Sequence, residues 1–188
     1  MTTVTRNGFL RDDFFEDKPL FEQIKLDLKT YNGNWGQQGF WAMTIYRLGR
    51  WRYTLKSDLI RKPMSLLYKF LFKWVQVLTG IELPCEVKIG TNFRIDHFGG
   101  IVVSGFASLG DNCVIRNGVT IGLRHSHQPT APSIGNNVDV GSGAKILGNI
   151  SIGNNVMIGA NAVVINDIPS NSIAVGIPAR VIKRREHV

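Results

Sequence analysis

Three histidines stand where their type and spacing could do chemistry. His97 follows Ile95-Asp96 two residues beyond a large aliphatic side chain, and His125 and His127 lie in a stretch that interrupts an otherwise regular residue count. Imidazole titrates near neutrality, so each can take a proton from a hydroxyl group or hold a metal ion. The run Gly141-Ser142-Gly143 carries little side-chain bulk and could present backbone N–H groups to a developing oxyanion. Near the C-terminus Arg180, Lys183, Arg184 and Arg185 gather the charge that binds phosphate, unless they are simply a solvated tail.

These residues must be positioned by a repeat of six. Aliphatic residues recur at Ile89, Ile95 and Ile101, at Leu109, Ile115 and Ile121, and at Ile134, Val140, Ile146, Ile152, Ile158 and Val164. The count breaks twice: two extra residues between Ile101 and Leu109, and a seven-residue segment in place of one hexapeptide between Ile121 and Ile134. An α-helix would carry a residue of that period around its axis, whereas a short strand followed by a corner keeps it on one side. Residues two before each aliphatic, such as Val87, Cys113, Val138 and Ala162, face the same way and are mostly small or β-branched. Glycine after the aliphatic and pairs such as Asn136-Asn137 and Asn154-Asn155 supply the turns. The expected fold is mainly β: a parallel β-helix in which three repeats close one coil. His97 then lies on the outer surface. The same repeats could also build a passive solenoid.

The first eighty residues follow a helical period instead. Phe21, Ile24 and Leu28 after Pro19 predict a first helix; 40–56 and 64–79 predict two more, separated by Pro63. The last has a polar stripe of Lys69, Lys73 and Gln76 on an otherwise apolar cylinder, too interrupted to span a bilayer. With Arg47, Arg50, Arg52, Arg61 and Lys62 it could rest on an anionic membrane face, or pack within an oligomer. The domains are therefore an α-helical N-terminal cap over 1–80 and a β-helix with its tail over 81–188.

The 188-residue chain is 44% hydrophobic and 19% charged, so it can bury a core, and its net charge of +8 resides in the cap and tail rather than in any nucleic-acid module. Cys85 and Cys113 are too few for a disulfide framework, and no secretory signal is readable, so a cytoplasmic protein is expected.

Over roughly residues 39 to 183 the chain resembles the serine O-acetyltransferase group of hexapeptide-repeat acyltransferases. Tyr46-Arg47-Leu48-Gly49-Arg50-Trp51 looks like that family's Tyr-Arg-Ile-Gly-His-Trp helix, and Ile95-Asp96-His97 with Gly100-Ile101-Val102-Val103 looks like its active-site strand. The run from Gly141 to Ile150 is similar to its cofactor-facing coil, and Gly176-Ile177-Pro178-Ala179-Arg180 to the closing motif of the superfamily. The resemblance implies a left-handed β-helix, a homotrimer, and active sites shared between neighbouring subunits. It also implies transfer of an acetyl group from acetyl-CoA to a hydroxyl, with His97 as the base. The family uses an aspartate where Glu82 stands, to orient the imidazole, and its residue matching Asp96 contacts the acceptor. The pantetheine arm would run along Gly122, Ser142 and Ala160, with the CoA phosphates at Arg180 and Lys183.

The match departs from the family at Thr130 and Ala131, which stand where an Arg-His pair grips the serine carboxylate. A sugar hydroxyl of a surface polysaccharide is thus the expected acceptor, with serine the alternative. Related sugar acetyltransferases place their catalytic histidine in a comparable loop, which makes His125 and His127 the second candidates and acceptor-binding residues. Three histidines could instead hold zinc, as in the carbonic anhydrases of this fold, but His-Ser-His is too compact for that ligand set, and no metal is expected.

Overall fold

The computed structural model describes residues 18–184 except 126, 128 and 129. Helix α1 (Leu20–Thr30) opens directly after Pro19 and is followed by α2 (Gln38–Thr54) and α3 (Asp58–Thr79). Pro63 does not separate two helices but lies inside α3, which starts near Ser57, whose carbonyl accepts from Arg61 N–H at 3.0 Å. So close to a helix start, proline forfeits one backbone bond without ending the helix. Gly80, in left-handed backbone (φ 64), stops it.

The three helices pack against each other and against the first coils through close contacts that glycine permits. A Cβ on Gly49 would lie 2.5 Å from the Tyr68 ring, and one on Gly39 would lie 2.5 Å from the Ile95 carbonyl oxygen. Gly49 thus seats α2 on α3, and Gly39 seats it on the strand Arg94–Asp96. Arg47, Arg50 and Arg52 all point into this packing. Arg47 pairs with Asp27, Arg50 donates to the carbonyls of Cys85 and Val87, and Arg52 lies over the rings of Tyr53 and Tyr68. Three of the five cations expected on a membrane-facing surface are therefore buried in the cap, because their forked donors satisfy buried carbonyls and a carboxylate. No helix among the described residues is long and apolar enough to cross a membrane.

From Ile81 the chain winds as a parallel β-helix with three faces. The first face carries Ile81–Glu82, Ile101–Val103, Thr120–Gly122, Lys145–Leu147 and Val163–Val164. The second carries Lys88–Ile89, Ser108–Leu109, Ser133–Ile134 and Ser151–Ile152. Arg94–Asp96, Val114–Arg116, Asp139–Val140, Met157–Ile158 and Ser172–Gly176 form the third, which Ala179–Arg184 closes as an antiparallel edge. The aliphatic repeat points inward to a core that includes Ile95, Ile115, Ile121, Ile146 and Ile158, each at most 1% exposed.

One corner is held by a ladder. Asn92 donates to Asn112, Asn112 to Asn137, Asn137 to Asn155 and Asn155 to Asn171, at 2.8–3.1 Å, and all five have positive φ. Asparagine tolerates that backbone, and its amide can both donate and accept, so identical residues stack coil upon coil.

The register moves the first interruption. Val103 pairs with Ile121, Ile121 with Ile146 and Ile146 with Val164, while Ile101 pairs with Ile81 and occupies the position two before. The two extra residues therefore lie between Ile95 and Ile101, not after Ile101. At the second interruption Thr120–Gly122 and Ser133–Ile134 are successive strands of one coil, so a loop has been inserted and no hexapeptide replaced.

Candidate active site

The displaced insertion forms the corner that contains His97. His97 is exposed and has φ 62; the other non-glycine residues with positive φ among the described residues are all asparagines. Imidazole has no local amide bond to offset that conformation, which costs about 1–2 kcal/mol in a non-glycine residue. Gly99 and Gly100, at φ 101 and 66, complete the turn, and Gly99 accepts from Gly118 N–H at 2.8 Å. The end of α3 braces it from below: Ile101 N–H donates to Gly80, and a Cβ on Gly80 would come 3.2 Å from Gly99 Cα.

Glu82 lies on the first face, beside Val102, on the strand that leaves Gly80. Its carboxylate accepts from Gln76 Nε2 at 2.8 Å, and Lys73 Nζ donates to Gln76 Oε1 at 3.0 Å. Asp96 is engaged by Arg94 at 2.9 Å, next to an Arg116–Asp139 ion pair that keeps the Arg116 guanidinium charged above its ordinary range. The Tyr31 hydroxyl accepts from Ile95 N–H at 2.9 Å, tying α1 to the active-site strand, and burial raises its pKa.

Ser142 and Ala160 stack above the His97 corner, as does the Gly100, Gly118, Gly143 and Asn161 column. Arg180, exposed, pairs with Val175, whose side chain abuts Gly159, so its backbone stands on the edge strand at the top of the same corner. Lys183 lies farther along that strand, opposite Ile173, and its side chain is outside the described set, as is Arg185. The glycine run cannot serve as first expected: the N–H groups of Gly141 and Gly143 donate to Ile158 and Asn117 in the coil-to-coil ladder. Among the described residues, the Ser142 N–H stands outside that ladder.

Gly122 does not join this column. It ends the strand at the opposite edge of the first face, about 10 Å away for three residues of strand, where the inserted loop departs. His125 and His127 are exposed there with rings stacked at 5.6 Å, beside a cavity of about 250 Å³ lined by Arg124, His125, Thr130, Leu147, Asn149 and Ile165. Thr130, at one of the two clamp positions, faces this cavity; Ala131 packs partly against the core. No group of three or more metal-ligating side chains occurs among the described residues. The Lys73 and Gln76 stripe is visible in the sequence but its connection to Glu82 is not; nor are Arg116, which meets Asp139 only through coil stacking, Tyr31, which meets Ile95 only when the cap docks, and Arg94, whose partner Asp96 stands two residues along the same strand.

Residues 131–166 match the family described as bacterial transferase hexapeptide (six repeats). The chain is 42% identical over 147 residues to a serine acetyltransferase of Synechococcus elongatus, covering 78% of this chain and 57% of that protein. It thus spans less than two thirds of that relative. To a serine acetyltransferase of Staphylococcus aureus strain Mu50 it is 36% identical over 176 residues, 93% of this chain and 78% of that one. The crystal structure of a serine acetyltransferase in complex with coenzyme A from Brucella abortus strain S19 superposes with a TM-score of 0.76 at 27% identity, over 94% of this chain and 73% of that chain. The repeat register, the helical cap and these relatives agree: the chain belongs to the serine acetyltransferase family of hexapeptide-repeat transferases.

Proposed function

We propose that the protein is an O-acetyltransferase that moves an acetyl group from acetyl-CoA to a hydroxyl, with His97 as general base. The observation that carries this reading is the His97 corner itself. A two-residue insertion and strained backbone present one imidazole on the outside of the coil, under a column of small residues ending at Arg180. Strain of that kind persists where the surrounding structure enforces it, which favours a functional role.

In this mechanism the His97 imidazole accepts the acceptor's hydroxyl proton while its oxygen attacks the thioester carbonyl, forming a C–O bond. The carbonyl π electrons move to oxygen, and we assign the Ser142 N–H, which no coil-to-coil bond among the described residues uses, as the donor that meets that charge. Collapse breaks the C–S bond, and the imidazolium returns the proton to the departing thiolate. Glu82 orients the imidazole, Asp96 contacts the acceptor, the groove past Ser142 and Ala160 takes the pantetheine arm, and Arg180 with Lys183 meets the phosphates.

The relatives' names support L-serine as the acceptor ahead of a sugar. A sugar hydroxyl remains the second reading on one observation: Thr130 and Ala131 supply no cation at the clamp positions. Acetyl-CoA consumption measured with L-serine beside nucleotide sugars and oligosaccharides separates them. Saturable turnover of serine supports the first reading, and turnover of a saccharide alone supports the second. Turnover of no hydroxyl acceptor would overturn both.

The working unit in this reading is a homotrimer in the cytoplasm, with the cap over 1–80 and the catalytic β-helix over 81–188. His97 and the His125 loop occupy opposite edges of one face, so a second copy is needed to bring the loop of one chain to the corner of another. The outer side of α3, where Leu59, Leu66, Phe70, Trp74 and Val77 are each more than half exposed, suits packing within that assembly. Membrane contact has less support, since Arg47, Arg50 and Arg52 are buried.

A further inference from the structure

We infer that Gln76 is a positioning residue that aims the Glu82 carboxylate at the His97 corner, so that α3 takes part in catalysis. The inference rests on the O-acetyltransferase reading above and extends it to a residue outside the β-helix.

Glutamate has one more methylene and one more rotatable bond than the aspartate that the family resemblance places at this position, so an unrestrained Glu82 would lose rotamer freedom whenever it orients an imidazole. The structure supplies a restraint. Gln76 Nε2 donates to Glu82 Oε2 at 2.8 Å, which leaves Oε1 as the free acceptor. Lys73 Nζ donates to Gln76 Oε1 at 3.0 Å, and an ammonium has no acceptor capacity, so the amide can face the carboxylate only with its NH2 group. The relay runs along one side of α3, three residues apart, and ends on the strand that starts at Gly80. Gly80 in turn braces Gly99 and Gly100. Gln76 and Glu82 are both half-buried, so neither end of this hydrogen bond is freely solvated.

The test compares steady-state acetyl transfer by the full chain and by Gln76→Met, Gln76→Arg, Glu82→Gln and the double variant Gln76→Met/Glu82→Gln. Gln76→Met should lower kcat about tenfold with the acetyl-CoA KM unchanged, Gln76→Arg should recover part of it by restoring a donor, and Gln76→Met should add nothing in the Glu82→Gln background. Wild-type kcat in a folded Gln76→Met protein, or an equal loss in both backgrounds, would overturn the inference. If His97→Asn retained full turnover, the O-acetyltransferase mechanism would fall first and this role with it. If Gln76→Met does not fold, the comparison of Gln76→Arg with Gln76→Glu gives the same decision. A donor should preserve kcat and a second carboxylate should lower it; equal kcat values would overturn the inference.

Discussion

Arg47 and Asp27 form a two-pronged ion pair inside the cap, with Nε and Nη2 donating at 2.9 and 3.2 Å to the two carboxylate oxygens. Both side chains are less than a tenth exposed, so the pair joins α1 to α2 in a place that water barely reaches. Removing one partner leaves the other charged and buried, which costs about 3–5 kcal/mol. Arg47→Met should lower the unfolding free energy by that amount, and Asp27→Leu/Arg47→Met should recover most of it. Equilibrium urea unfolding of the three proteins checks this, and an Arg47→Met loss below about 1 kcal/mol would show the pair to be solvated.

The asparagine ladder makes a separate claim about backbone and side chain. Asn137 has φ 56, accepts from Asn112 and donates to Asn155. Replacing it by glycine keeps the backbone but removes two hydrogen bonds, whereas alanine also meets the left-handed penalty. Asn137→Ala should therefore be less stable than Asn137→Gly by about 1 kcal/mol, measured from denaturation midpoints. Equal stability would mean that the corner relaxes.

Cys85 and Cys113 are both buried and unpaired, and burial pushes both thiols above their ordinary range. A raised thiol pKa means little thiolate at neutral pH, and thiolate is the reactive form. The expected outcome is negligible labelling of native protein by a thiol-disulfide reagent at pH 7.5 and full labelling of two thiols in denaturant. Rapid native labelling at either position would contradict its burial.

The six-residue period was legible because each strand contributes one inward aliphatic side chain, a constraint repeated in every coil. The placement of the two-residue insertion was not, since Ile101 and Val103 are both aliphatic and either fits an inward site. Only pairing of Val103 with Ile121 in the next coil decides between them. The same limit explains the arginines. A run such as Arg47, Arg50 and Arg52 reads as a basic surface until Asp27, twenty residues upstream, and the carbonyls of Cys85 and Val87 are brought to it by tertiary packing. His97 was legible as a residue type and as part of a motif; its strained backbone was not, because nothing local distinguishes it from the corner residues of other coils.

The most direct test of the mechanism replaces His97 by asparagine, the residue that this fold already uses in left-handed backbone. The substitution should not lower the thermal midpoint and should raise it by about 2–5 °C as the left-handed strain is relieved, while acetyl transfer from acetyl-CoA falls at least about a hundredfold. Turnover within a few-fold of the parent protein, together with loss of activity in His127→Asn, would contradict the account and move the base to the inserted loop.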